Sequence, residues 1–534
     1  VVPSVGAWTP ENGVTCPVAC LPVGQTSTDK PRILISFYRA YLTSADMAPI
    51  EALFESFRAK GCDVVAIFAP SLKAPDAAGW LRRHVRALKP DAIVNATSFS
   101  GKGADGTSPL DAANVPVFQV ALGTSRKKAW AESERGLSPT DLAMHVVLPE
   151  VDGRIFAGVA SFKEPGKRDA DLEYSRFSHR PVPERIAAIT DQVMGWVTLG
   201  DTPPTAKSAA IVLSTYPGKD WNMAHAVGLD ALASTDAILD DLDTQGWRIS
   251  KGAPLQEALK ETIAWPLTTY EAALKTLPTQ LQDDLKTAWG NAATDPLCVD
   301  GALRFPATRR GAVLVALQPE RGEVAMREDD YHDLARTPRH AYVAFYLWLR
   351  AQSIHALIHV GAHGTLEWLP GKSVALSNDC WPAALIGNTP VIYPFIVNDP
   401  GEAAQAKRRI GAVTLGHVPP AMKQSDTPDQ FLRLETLLDE FSNADGLDPK
   451  RRDRLQDDIR AEAQAIGVEQ DLGLDTASST AESITRIDRF VCDIKESQFG
   501  DGLHIYGRVP VTETAFDSHA AALGEHRGLI DALN

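Results

Sequence analysis

The chain has no apolar run near the roughly 20 residues that span a bilayer, no low-complexity tract and no excess of positive charge. Its 53 Lys and Arg against 68 Asp and Glu leave a net charge of −15, which argues against a general binder of nucleic acid or anionic membranes. Cysteine is scarce: six in 534 residues, at positions 16, 20, 62, 298, 380 and 492. The one close pair, Cys16 and Cys20, lacks the second pair that a structural zinc site needs, so reduced thiols in a cytoplasmic protein are expected. A complete phosphate-binding P-loop is missing too. Gly371-Lys372-Ser373 has the end of the pattern GxxxxGK[ST], but the position that requires glycine holds Leu366. Any ATP hydrolysis linked to this chain is therefore expected from another polypeptide.

What is present is an ordinary globular composition, 44% hydrophobic and 23% charged, in a chain too long for one core. The opening VVPSVGAWTPENG reads as a loop, and with Val in first place the sequence is expected to be an internal piece of something longer. Residues 1–30 are expected to be a loop-rich start. From residue 31 the short β-branched runs RILISFY, DVVAIFAP, DAIVNAT and VPVFQVAL alternate with amphipathic segments near 46–60 and 76–88. That alternation predicts parallel βαβ units in a doubly wound sheet over 31–205, with a hairpin-like stretch at 150–181 and a helix near 183–199. After the link GDTPPT a second α/β domain is expected over 206–425, with strands in AAIVLSTYP, GAVLVALQP, IHALIHV and PVIYPFIV. The almost wholly apolar AYVAFYLWLR predicts a helix buried on most sides. Residues 426–534 read as mainly helical and as continuing into sequence beyond them. Phe431, Leu434, Leu437, Leu438 and Phe441 make one stripe there, and Asp448-Pro449 is an N-cap and N1 pair. The fold class is thus α/β and multidomain, with doubly wound parallel-sheet domains and a helical C-terminal region.

Chemistry concentrates in one place. Five of the thirteen histidines fall between His332 and His363, and His359, His363 and Glu367 recur at four-residue steps among glycines. Imidazole and carboxylate are the side chains that bind a borderline divalent metal or move protons near neutral pH. His359 sits at the carboxyl end of the predicted strand IHALIHV, where open α/β sheets bind their ligands. Any one of these histidines is more simply a hydrogen-bonded packing residue, and Glu367 a cap; three ligand-type residues meeting at a strand end favour function. HxxxHxxxE is not a zincin signature, since those place the glutamate directly after the first histidine. Nearby, Asp399, Pro400 and Glu402 make a helix start, and Lys407, Arg408 and Arg409 suit that helix's negative C-terminal end. The QPERG run with Arg321, and Tyr331-His332-Asp333, would face the same cleft if their strand neighbours IHALIHV. Lys495-Glu496-Ser497-Gln498 is a further polar cluster.

The run HVGAHGTLEWLPGKSVALSNDCWPAALIGNTPVIYPFIVNDPGEAAQAKRRIGAVTLGHVPP resembles the large subunits of the cobaltochelatase and magnesium-chelatase family. ILISFYRAYL, RGLSPTDLAMHVVLPEVDGRIFAGVASFK, QPERG and KESQFGDGLHIYG agree, so the resemblance extends from about residue 30 to about 510. TLEWLPGKSVALS and VIYPFIVNDPGEAAQAKRRIGA are similar to the cobalt branch, while MREDDYHD departs from the family's wording. The resemblance implies ATP-dependent insertion of Co²⁺, the substrate metal, into hydrogenobyrinic acid a,c-diamide during aerobic cobalamin synthesis. It implies that Mg-ATP is used by AAA-type partners of the CobS and CobT type. On that reading His359 and His363 deliver metal, Glu367 binds metal and accepts protons, and His332 supports them. Lys372, Arg321 and Glu496 then contact the substrate's polar arms.

Three other readings stand beside this one. The first, within the same family, is a magnesium chelatase subunit acting on protoporphyrin IX. The second, from a different class, is a tetrapyrrole-binding or sensing module without turnover. A self-contained metallohydrolase at His359, His363 and Glu367 is the third, and the incomplete zincin pattern counts against it.

Overall fold

The protein is described by a computed structural model, which covers residues 2–15, 30–214, 229–322, 335–361, 364–396, 400–417, 429–444, 448–466, 468, 480, 483–484, 486–488, 490–491, 503–508 and 516–534. It divides into two compact units, Val1–Gly200 with Val374–Ser377, and Asp201–Ser373 with Asn378–Asn534.

In the first unit the β-branched runs become strands β3 (Arg32–Tyr38), β4 (Asp63–Ala69), β5 (Ala92–Asn95), β6 (Val117–Gly123) and β7 (Ile155–Pro165). These five pair in parallel in the order β4-β3-β5-β6-β7. The expected loop-rich start contains a hairpin, β1 (Gly6–Thr9) and β2 (Gly13–Thr15), which adds to the sheet antiparallel beside β4. Trp8 explains the difference: it is buried edge-on against Phe37 and Phe54, so an apolar anchor overrides a turn-rich composition. At the other edge β8 (Phe177–Pro181) pairs antiparallel with β7, the hairpin expected at 150–181. The helices Ala48–Ala59, Pro75–Leu88 and Pro183–Asp201 lie where their amphipathic patterns predict. Val374–Ser377 joins this unit, with the Trp130 indole N–H donating to the carbonyl of Ala375 at 2.8 Å.

The second unit is built on strands β9 (Ala209–Leu213), β10 (Thr262–Pro266), β11 (Cys298–Val299), β12 (Ala302–Arg310), β13 (Val313–Leu317), β14 (Ala356–Val360), β15 (Val391–Ile396) and β16 (Val413–His417). Its parallel strands run β13-β9-β14-β15-β16, with β12, β10 and β11 extending the β13 edge antiparallel. β9, β13 and β14 are buried at every position, as strands covered on both faces must be. Both units thus arrange five parallel strands as second, first, third, fourth and fifth in chain order. Such a sheet has its switch point between the first and third strands, here β9 and β14, and the crevice outside their carboxyl ends is where ligands bind.

The helix His340–Ala351 is buried from His340 through Leu349, as its apolar sequence requires. Its N-terminus is held by Asp295, which accepts from Ala341 N at 3.0 Å while pairing with both sides of the buried Arg339 guanidinium at 3.1 and 3.0 Å. Farther on, Asp448 caps Pro449–Ala465 by accepting from Arg451 N at 3.1 Å. Leu434, Leu438 and Phe441 of Asp429–Ala444 enter a small core with Leu455 and Ile459.

Buried histidines make the fold sensitive to acid. In the first unit His179 shares a 3.0 Å hydrogen bond with the Ser161 hydroxyl, and burial pulls its pKa from 6.5 to about 4. His145 is buried with Nδ1 unpartnered, and burial lowers its pKa as well. Because these folded-state values lie below the ordinary 6.5, the unfolded chain takes up protons first on acidification. Their stabilisation is complete above about pH 6.5 and is lost progressively down to the folded values. Denaturant unfolding at pH 7.5, 6 and 5 should show the midpoint falling, and His179→Gln should flatten that slope; an equal slope in the variant assigns the effect to other groups.

Candidate functional site

His359 lies on β14, where it is in register with Val212 of β9, so it stands at the switch point. Only 3% of it is exposed. Ser214, directly after β9, meets its Nε2 at 2.8 Å. Two glycines make close contacts here possible. A Cβ on Gly361 would sit 2.3 Å from the Ser214 hydroxyl, and one on Gly364 would sit 2.7 and 2.8 Å from the His359 ring. Hydrogen is the only side chain that fits at either place.

The chain then makes the single 3-10 turn Leu366–Trp368, which brings Glu367 back over the strand ends. Glu367 is 1% exposed. Its Oε1 accepts from Gly364 N and from the Tyr393 hydroxyl, each at 3.2 Å. Tyr393 is on the neighbouring strand β15, and its ring packs against His359 with centroids 4.6 Å apart. Tyr393 therefore joins the histidine to the carboxylate. Burial raises the Glu367 pKa, and the hydrogen bonds from its own backbone, Tyr393 and Gly364, with the Arg409 charge, oppose that rise only in part. A carboxyl group poised upward in this way can hold or release a proton closer to neutral pH than an exposed one.

The turn itself is anchored from three directions. From the end of β13, Gln318 accepts from Thr365 N at 3.3 Å and from the Thr365 hydroxyl at 3.2 Å. From the buried helix His340–Ala351, the Tyr342 hydroxyl meets that of Thr365 at 2.8 Å. From the last turn of Pro400–Ile410, the buried Arg409 guanidinium donates to the carbonyls of Glu367, Leu369 (2.7 Å) and Lys372 (3.1 Å).

The sequence-predicted residues fall into two groups. His359 and Glu367 are brought together through Tyr393 and Gly364. Lys372 is on the same loop, mostly buried, with its backbone N–H directed to Cys380 Sγ at 3.3 Å. Arg321 is 3% exposed and donates to the Trp368 carbonyl at 3.2 Å. It reaches this loop although β13 does not neighbour β14, since β9 lies between them. His332, His363 and Glu496 lie outside the described residues, as does Asp399. Among the described residues, no group of three or more His, Cys, Asp or Glu side chains is arranged to hold a metal ion. Tyr393 and Ser214 were not predicted as site residues, and Gln318 was noted only as part of the QPERG run. The signal for Tyr393 was there: a lone hydroxyl in the buried strand VIYPFI needs a polar partner.

The fold and this edge define a doubly wound α/β protein with a buried histidine–tyrosine–carboxylate arrangement at a sheet's switch point. The sequence matches the family described as CobN/Magnesium Chelatase over residues 2–534, and the chain belongs to that family. It is 36% identical over 529 residues to the aerobic cobaltochelatase subunit CobN of Sinorhizobium sp, covering 95% of this chain and 41% of that protein. It is 28% identical over 558 residues to a magnesium-chelatase subunit of Rhodobacter capsulatus, covering 98% of this chain and 45% of that one. The catalytic subunit of cobaltochelatase from Mycobacterium tuberculosis has a similar structure, with a TM-score of 0.68 at 30% identity over 96% of this chain and 44% of that one. The chain spans less than half the length of each of these relatives. Among the described residues no helix is long and apolar enough to cross a membrane.

The packing at Gly364 carries a direct test. Gly364→Ala must push the His359 ring or Glu367 aside, and such overpacking costs about 1–3 kcal/mol. Denaturant unfolding measures that loss, and the imidazole resonances of His359 should move with it. A variant as stable as the parent, with those resonances unmoved, would show that the loop has slack the structure does not reveal.

Proposed function

We propose that this chain forms the part of a cobaltochelatase large subunit that handles macrocycle and metal, acting in insertion of Co²⁺ into hydrogenobyrinic acid a,c-diamide. The observation that carries the cobalt assignment is the 36% identity to the aerobic cobaltochelatase subunit over 95% of the chain, against 28% for the magnesium-chelatase subunit. The chemistry of insertion suits the site. Co²⁺ enters as the ring N–H proton leaves the macrocycle, so the reaction needs a proton acceptor beside the ring and ligands that replace water on the ion. Glu367, buried and with its pKa raised, is the acceptor in this reading. Its proton returns to solvent between turnovers. His359 and His363 hand over the metal, as imidazole suits Co²⁺, with Glu367 as a further ligand and His332 in support. Lys372, Arg321 and Glu496 meet the carboxylate and amide arms. ATP hydrolysis belongs to AAA-type partner subunits of the CobS and CobT type, in keeping with the incomplete GKS pattern at 371–373, and the reaction is cytoplasmic.

The tests separate substrate from mechanism. The chain should bind hydrogenobyrinic acid a,c-diamide in preference to protoporphyrin IX, followed by the ligands' visible absorption. Preference for the porphyrin would instead favour magnesium chelatase, the reading that the magnesium-chelatase relatives support. In an insertion assay with the ATPase partners, Glu367→Gln should lower kcat by about 10²–10⁴-fold, the range for a lost general base, while macrocycle binding persists. The wild-type rate should fall as pH drops through the raised Glu367 pKa, above the ordinary 4.5, because only the ionised carboxylate accepts a proton. Full insertion activity in Glu367→Gln would remove this assignment.

A further inference from the structure

Lys407, Arg408 and Arg409 close the helix Pro400–Ile410, and the simple account of such a cluster is attraction to the helix's negative end. Lys407 and Arg408 are half-buried and fit that account. Arg409 does something else. It is 5% exposed, and its guanidinium turns to the turn and loop 366–373. There Nη1 donates to the Glu367 carbonyl, Nη2 to the Leu369 carbonyl at 2.7 Å and Nε to the Lys372 carbonyl at 3.1 Å. Three carbonyls within six residues are gathered by one planar cation. The geometry matches a guanidinium, whose donors form a fixed fork, and not an ammonium, which is a point charge on a flexible stem.

Two of the three carbonyls belong to residues that the proposed function uses, Glu367 and Lys372. Glu367 is held through its backbone by Arg409 and through its carboxylate by Gly364 N and the Tyr393 hydroxyl. Lys372 is held through its carbonyl by Arg409 and through its N–H by Cys380. The helix that carries Arg409 begins just after β15, the strand that carries Tyr393, with Glu402 buried in its first turn. Strand, helix and loop thus close a ring through this one side chain.

We propose that Arg409 is a positioning residue: its three-carbonyl clamp fixes the loop 366–372 so that Glu367 keeps its place at the switch point and Lys372 its place on the loop, without itself touching substrate. The proposal rests on the assignment of Glu367 to the reaction, so its test includes a measurement that does not need the reaction. In the full-length polypeptide, Arg409→Lys keeps the charge and loses the fork, and Arg409→Gln keeps a planar donor and loses the charge. Amide hydrogen exchange should rise about tenfold or more at residues 364–373 in both variants, the scale of one lost hydrogen bond to a charged group. Exchange in β9 and β14 should stay as in the parent, which also reports that the variants fold. In the insertion assay kcat should fall about 10²-fold, the consequence of a displacement near 1 Å, with KM for the macrocycle little changed. Unchanged exchange at 364–373 overturns the clamp. Raised exchange with kcat kept, or with the whole loss in KM, overturns the positioning role. A parent protein that inserts no cobalt counts against the proposed function and leaves exchange to judge the clamp.

Discussion

A carboxyl group kept out of water has to be satisfied by the protein around it, and the second unit is organised to satisfy one. Burying a carboxylate without partners is costly enough that the group would protonate or the loop would move. Glu367 is held at 1% exposure because two donors converge on one of its oxygens, one from the backbone and one from a tyrosine on the next strand. Much of the local structure follows from that requirement. Gly364 must lack a side chain so that its N–H can approach, β15 must present Tyr393 beside β14, and the turn must be fixed from Gln318, Tyr342 and Arg409. Each of those partners is itself buried.

The two units show how much the side chains matter once the architecture is shared. Their parallel strands run in the same order, so the first unit has its own switch point between β3 and β5. There the polar residues are spent on one another. Ser36 donates to Asn95 at 2.6 Å, Asn95 to Gln119 at 2.8 Å, and Arg154 to Gln119 at 2.8 Å. The loop after β5 lies so close that a Cβ on Gly101 would be 2.8 Å from the Arg154 guanidinium and 2.9 Å from Leu72. In the second unit the corresponding edge carries an imidazole and a carboxyl group whose pKa burial raises. One edge is a closed amide network, and the other holds groups that can exchange protons.

The chain belongs to the CobN/magnesium-chelatase family, and the function proposed above would set this second edge to metal insertion. The difficulty of such chemistry is to keep a proton acceptor close to a flat macrocycle while preventing the acceptor from filling the metal's place. A carboxyl group attached rigidly to a sheet edge would suit the acceptor of that proposal better than one on a mobile loop, since binding groups on packed elements hold their geometry. The anchors around Leu366–Trp368 supply that rigidity from three separate elements.

Much of this was legible in the sequence. β-branched runs alternating with amphipathic segments determine parallel α/β units by local periodicity, and AYVAFYLWLR is buried because nothing in it is polar enough to face water along most of its length. The pairing of Asp448 with Pro449 at a helix start is equally local. His359 at a strand's carboxyl end follows from the length of IHALIHV. What tertiary structure decided is whatever depends on strand order and on direction in space. Sequence could not say that β9 would separate β13 from β14, that Trp8 would draw the opening residues into a sheet, or that Arg409 would turn to the loop while Lys407 and Arg408 stay half-buried. Nor could it join Tyr393 to Glu367 across 26 residues. Periodicity reports which face of an element is apolar; which elements then meet is decided by packing of the whole chain, and the site exists only where they meet.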